Sequence, residues 1–285
     1  MLPEIAIADA YGAGFEFSPP NKVASCNDLL AFQKHELYDI QGKYTDDTQL
    51  TIAISEALLE KETPTKEDFA KAILSCFKRD PRPGYSKGFY EILSTSNDVE
   101  DLLTNLNPNS ERNGAAIRSV PIGYLKCIEK VTEVATIQSS ITHNTPIGIA
   151  SSVTVATVAH YALHKGLQVQ NITQVLETHK LDQWDFNWTK AVSVDAFDTL
   201  SAALTCLVNK RSISELLKSC VDLCGDTDSV ASIAVGLASC FNEYSNDLPS
   251  ALIDNLDESI YGINYLNALE AKLQYRYRQP KPISI

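Results

Sequence analysis

The chain has 285 residues, 44% hydrophobic and 21% charged, which suits a globular protein with one large core or two small ones. A formal net charge of −12 and a pI near 4.9 speak against nucleic acid or an anionic membrane as partner, because both need a broad basic footprint. A local group of donors can still hold a phosphate on an acidic protein.

In chain order, the opening "MLPEIAIADAYG" has no basic n-region and is interrupted by Asp9, so it does not read as a signal peptide. "FSPPNK" (17–22) is loop punctuation. "KYTDDTQLT" (43–51) then opens a helix whose Leu50, Ala53, Ile54, Ala57 and Leu58 form one apolar stripe. "RDPRPGYSKG" and "NLNPNSERNG" mark further loops. "IGIASSVTVATVAHYAL" (147–163) is apolar on nearly every face and suits a central buried helix. "VDAFDTLSAALTCLV" (194–208) looks similar; its β-branched residues leave a strand open locally, while its length favours helix. After "GDTDS", Val230, Ile233, Ala234, Leu237 and Phe241 repeat the helical pattern. No apolar run reaches the ~20 residues of a membrane span. The basic end, 275–285, reads as an extended tail. With no linker or repeat, residues 1–285 are expected to form one all-α domain.

The seven cysteines are an odd number with no CxxC pair, so reduced, mostly buried thiols of a cytoplasmic protein are expected. Cys220 and Cys224 have no His or third Cys nearby and read as packing residues. His160 and His164 lack the intervening Glu of a zinc-protease helix and read the same way.

Two acidic helix starts are harder to absorb into packing. A cap needs one acceptor, and Asp in a first turn gains about 0.3–1 kcal/mol from the helix dipole. Yet "TDDT" and "GDTDS" each bring two carboxylates and a hydroxyl. Adjacent carboxylates backed by apolar helices raise one another's pKa and destabilise the fold, and a divalent cation removes that repulsion. Oxygen donors from Asp, Thr and Ser suit Mg²⁺ or Mn²⁺ better than zinc. Two such starts facing each other would make a dinuclear centre. The aspartyl-phosphate loop of haloacid dehalogenase-like enzymes is a poor alternative for "DTDSV", which sits late and after helix rather than strand.

Five motifs occur in order: "ADAYGAGFEF", "YTDDTQLT", "NGAAIRSVPIG", "THNTPIGIASS" and "GDTDSVASIAVG". Together they resemble the ADP-ribosylglycohydrolase family. The resemblance implies an all-α fold with two Mg²⁺ (Mn²⁺ a substitute) that cleaves ADP-ribose from an acceptor, most simply arginine on a protein. It implies Thr45, Asp46, Asp47, Asp226, Asp228 and Ser229 as metal residues. Asp46, Asp47 and Glu16 become catalytic candidates, with Asp46 able to take a proton from the attacking water. Ser110, Asn113, Gly114 and His143 would hold the substrate, the "RNGAA" amides taking its diphosphate, and Tyr85 and Tyr261 are candidates to stack on adenine. Alone, Arg118 reads as a surface or ion-paired residue. Ala8, Cys224 and Ser229 depart from the family pattern, and Arg112 stands where a small residue is frequent, which bears on acceptor preference. Serine or O-acetyl-ADP-ribose as acceptor are alternatives, as is a non-catalytic ADP-ribose-binding or immunity protein; the four aspartates argue against the last.

Overall fold

The acidic stretches each open a helix, the first with a side-chain cap from Thr45 and the second without one. In the computed structural model, which describes residues 1–257 and 259–277, the order is α1 (Leu2–Ala13), α2 (Pro20–Cys26), α3 (Asp46–Glu60), α4 (Lys66–Arg79), α5 (Lys87–Thr95), α6 (Val99–Asn105), the single turn α7 (Gly114–Ile117), α8 (Ile128–Ser139), α9 (Pro146–Lys165), α10 (Ile172–Thr178), α11 (Ala196–Asn209), α12 (Ile213–Asp222), α13 (Thr227–Ala238), α14 (Ser250–Asp254) and α15 (Ile263–Tyr277). Among the described residues there is no strand, only isolated bridges such as Asn109 with His143. The all-α expectation holds, and 194–208 is helix.

Helix α9 forms the centre. Thr145 caps it by accepting from the Gly148 amide at 3.2 Å, and Gly166 ends it in the left-handed region. Val155, Ala156, Val158 and Ala159 are fully buried where α7, α8 and α11 pack on it. By length and composition this 20-residue helix would suffice to cross a membrane, contrary to the expectation that no run is long enough; here it is the core helix. His160 and His164 direct ring nitrogens at the Leu125 and Tyr124 carbonyls.

Helices α1 and α13 make the most extensive contact of any helix pair, and it depends on Gly12. A Cβ there would lie 2.5 Å from Asp228 Cα and 2.7 Å from the Asp228 nitrogen. Those are backbone atoms, so the helices would have to part. Gly12→Ala is therefore expected to destabilise the protein by about 3 kcal/mol in urea unfolding, as overpacking does, and to displace Asp228.

Residues 275–277, expected to begin an extended tail, belong instead to α15, which continues through Tyr277; the rest of that expectation, 278–285, lies outside the described residues.

Candidate active site

Helix α3 begins where Thr45, in extended conformation, accepts from the Asp47 amide at 3.3 Å. The other first-turn donors are taken from outside the helix. Asp9 of α1, fully buried, accepts from the Thr45 and Thr48 amides at 3.0 Å and from both hydroxyls, at 2.9 and 2.6 Å. Capping is thus carried by Thr45 and Asp9, which leaves the Asp46 and Asp47 carboxylates for other work. Thr45 itself is fully buried and sits behind the cleft rather than in its lining. The Asp46 amide donates to Pro83, and the turn closes so tightly over this side chain that a Cβ at Gly84 (φ +108°) would fall 2.0 Å from Asp46 Oδ1.

The start of α13 meets it. Ser229 Oγ donates to Asp47 Oδ2 at 3.1 Å, joining segments 182 residues apart. Asp226 accepts from Asn113 Nδ2 at 2.6 Å, and Asn113 also donates to Thr199 Oγ1. Thr227 Oγ1 donates to the Gly12 carbonyl. Phe17 N donates to Gly225 O, which brings the neighbouring Glu16 alongside. Oxygens of Glu16, Asp226 and Asp228 all lie within 4.8 Å of one another.

Just before α13, Cys224 adopts φ +63°, a left-handed conformation that costs a non-glycine residue about 1–2 kcal/mol. Glycine adopts it freely but loses more entropy on folding. Cys224→Gly is expected to raise stability by up to about 1 kcal/mol in denaturant unfolding.

These groups line one end of a cleft of about 350 Å³. Ser110, Asn113, Gly114 and His143 line it further along, with Arg112 at an exposed position and an apolar stretch made by Phe89, Ile92 and Leu106. Every sequence-predicted metal, catalytic and substrate-holding residue except Thr45 lines this cleft. The two adenine candidates do not: Tyr85 is buried with its hydroxyl on Gln49 Oε1, and Tyr261 lies against Arg79. Phe89 is the aromatic in the wall. The Asn113 amide is taken by Val194 O and α7 is one turn long, so "RNGAA" offers less of an anion site than its sequence suggests.

Electrostatically the acidic end is under strain. Burial first, then the neighbouring carboxylates, pushes Asp47 and Asp228 well above the usual range. Burial followed by Asp9 and Glu16 does the same for Asp46. Asp226 is also raised, chiefly by burial, and burial lifts Asp9 to about 6 despite its four donors. Among the described residues no Lys or Arg forms an ion pair with any of the five. An oxygen-only donor set under such repulsion fits a hard divalent cation.

Arg118 corrects its sequence reading. It is neither exposed nor ion-paired. It is fully buried, donating from Nε to Gln138 Oε1 and from a terminal nitrogen to Gln138 O and Thr142 Oγ1. Burial lowers its pKa to about 10, so it stays charged. Thr142 Oγ1 is in turn 2.6 Å from His143 Nδ1. Burial, then Arg118 and Arg112, holds His143 down to about 3, so its ring is neutral near pH 7.

The ADP-ribosylglycohydrolase family profile matches residues 5–280. The chain belongs to that family. An ADP-ribosyl-(dinitrogen reductase) glycohydrolase of Rhodospirillum rubrum is 23% identical, covering 90% of this chain and 88% of its own. ADP-ribosylhydrolase ARH3 of Homo sapiens is 23% identical over 70% of each chain. The Mus musculus ARH3 reaches 31% identity, but over 42% of this chain and 35% of its own. The matches to the mouse and chicken enzymes thus span well under half of those relatives' lengths. A solved ADP-ribosylglycohydrolase-related protein complex superposes with a TM-score of 0.75 at 20% identity, covering 97% of this chain and 95% of that one; it shares the fold.

Proposed function

We propose that this member of the family hydrolyses the bond between ADP-ribose and its acceptor, with Mg²⁺ or Mn²⁺ as cofactor and arginine on a protein as the acceptor class. The observation that carries this reading is the meeting of the α3 and α13 starts through Ser229 and Asp47 at one end of a substrate-sized cleft. Asp46, Asp47, Asp226 and Asp228 would hold the cations, with Glu16 and Ser229 beside them. Bound there, two divalent ions would neutralise the carboxylates and polarise oxygens of the substrate.

The chain's own groups supply the rest. Glycosidic cleavage builds positive charge on the ribose ring and needs an aligned water with a carboxylate to accept its proton. Asp46 reaches the cleft with a raised pKa and suits that role. Asn113 is anchored by Asp226 and Thr199, so it orients the ribose from a fixed position. His143 stays neutral and serves as a hydrogen-bonding wall rather than a charged acid. Phe89 offers a face for the adenine. The half-buried Glu16 at the acidic end of the cleft offers a carboxylate to a cationic acceptor, which is the ground for placing arginine ahead of serine or an O-acetyl group.

The test is ADP-ribose release from arginine-, serine- and O-acetyl-linked substrates, with EDTA and after Mg²⁺ is restored. Release from the arginine substrate should be fastest, stop with EDTA and return with metal. Hydrolysis that resists chelation, or none from any substrate, contradicts the proposal.

A further inference from the structure

We infer that His35 is a positioning residue for Glu16, fixing that carboxylate's orientation at the acidic end of the cleft. The inference rests on the hydrolase reading for its kinetic consequence, though not for the bond itself.

The loop that carries His35 is closed on itself and on α1. The His35 amide donates to Ile40 O, Gln41 Nε2 donates to Phe32 O at 2.7 Å, and a Cβ at Gly14 would meet the Gln33 carbonyl at 2.6 Å. His35 is buried within it, 2% exposed, with its ring 4.4 Å from that of Tyr38. Two backbone donors converge on one ring nitrogen: the Leu37 and Tyr38 amides lie 3.0 and 3.2 Å from Nδ1. An amide N–H only donates, so Nδ1 accepts and carries no proton. The ring proton is then on Nε2, which donates to Glu16 Oε2 at 2.7 Å.

That bond is directional and starts from a buried ring, so it selects one rotamer of Glu16. The backbone around Glu16 is fixed from the other side, since Phe17 sits at φ +47° with its amide on Gly225 O. Held at both ends, Glu16 keeps an oxygen within 4.8 Å of those of Asp226 and Asp228. His35 has no place in the cleft lining, so it acts through Glu16 rather than on the substrate. Outer partners that orient a carboxylate are typically worth about 10–100-fold in metal affinity or activity.

Two substitutions separate this role from loop structure. In His35→Asn, the side-chain oxygen can accept from the Leu37 amide in an Asx turn, keeping the loop but losing the reach to Glu16. His35→Gln can extend an amide N–H towards Glu16. We expect H35N to remain folded at the assay temperature, to lose about 10-fold in kcat with little change in KM, and to bind Mg²⁺ more weakly by calorimetry. H35Q should recover part of the loss. In an E16Q background H35N should cause no further loss, because residues acting through one another are not additive. Wild-type kcat in H35N, or the same loss with and without E16Q, overturns the proposal. Nitrogen NMR of the substrate-free chain reads the tautomer directly: a proton on Nε2 supports the assignment and one on Nδ1 overturns it. Because that readout needs no turnover, a chain that hydrolyses nothing would sink the function above while leaving this bond separately tested.

Discussion

Asp228→Asn is expected to lower ADP-ribose release by about 10³-fold or more while leaving the protein folded. Asp228 is 5% exposed, its carboxylate accepts from its own helix's Ser229 amide at 2.9 Å, and the charged groups beside it include Glu16, Asp226 and Asp47. Asparagine keeps the shape and an acceptor but removes the charge that a divalent ion needs. The same change removes like-charge repulsion, so with EDTA present the variant should unfold at a higher temperature than the parent. Steady-state kinetics and calorimetric melting read the two effects separately. A loss of activity accompanied by a lower metal-free midpoint would mean that Asp228 is structural.

The metal-free protein should lose stability as pH rises from about 4.5 to 7.5. Asp9, Asp46, Asp47, Asp226 and Asp228 all have folded-state pKa values above their ordinary ones. A group shifted that way stabilises the fold fully below its unfolded value and loses that contribution as pH rises through its folded value. For Asp9, between its ordinary value and about 6, the loss is about 3 kcal/mol. Glu4 and Asp257 are shifted down, so their contribution is lost only as pH falls through their lowered values, below this window. His143 and His160, which burial holds neutral, gain stability as pH rises to their ordinary value of 6.5 and offset part of the loss. Mg²⁺ binds the ionised set, so the rise in melting temperature it gives should be larger at pH 7.5 than at pH 5. Equal stabilisation at both values would place the ion elsewhere.

Sequence carried the all-α architecture and the acidic centre because both are written in local patterns. The stripe from Leu50 to Leu58 and the doubled carboxylates at each helix start lie within a single window of residues. What escaped depends on pairs distant in sequence. Asp9 read as an interruption of an apolar run, though a lone charge amid Ile5, Ala6, Ile7 and Ala8 was the available signal; its partners Thr45 and Thr48 lie 36 and 39 residues on. Arg118 read as a surface or ion-paired residue because nothing nearby in sequence announces Gln138, which satisfies it without a counter-charge. Tyr85 and Tyr261 were plausible aromatics, but composition cannot say which ring faces a cleft, and the packing gave that place to Phe89. Asn113, Gly114 and His143 were recognised only through motif order, and the structure brings them into one cleft with both acidic segments.

Anomalous diffraction from crystals grown with Mn²⁺ tests the central claim most directly. Two peaks should appear at the acidic end of the cleft, each bridged by oxygens from both the 45–47 and the 226–229 segments. Peaks held by one segment alone, or none in the cleft, would contradict it.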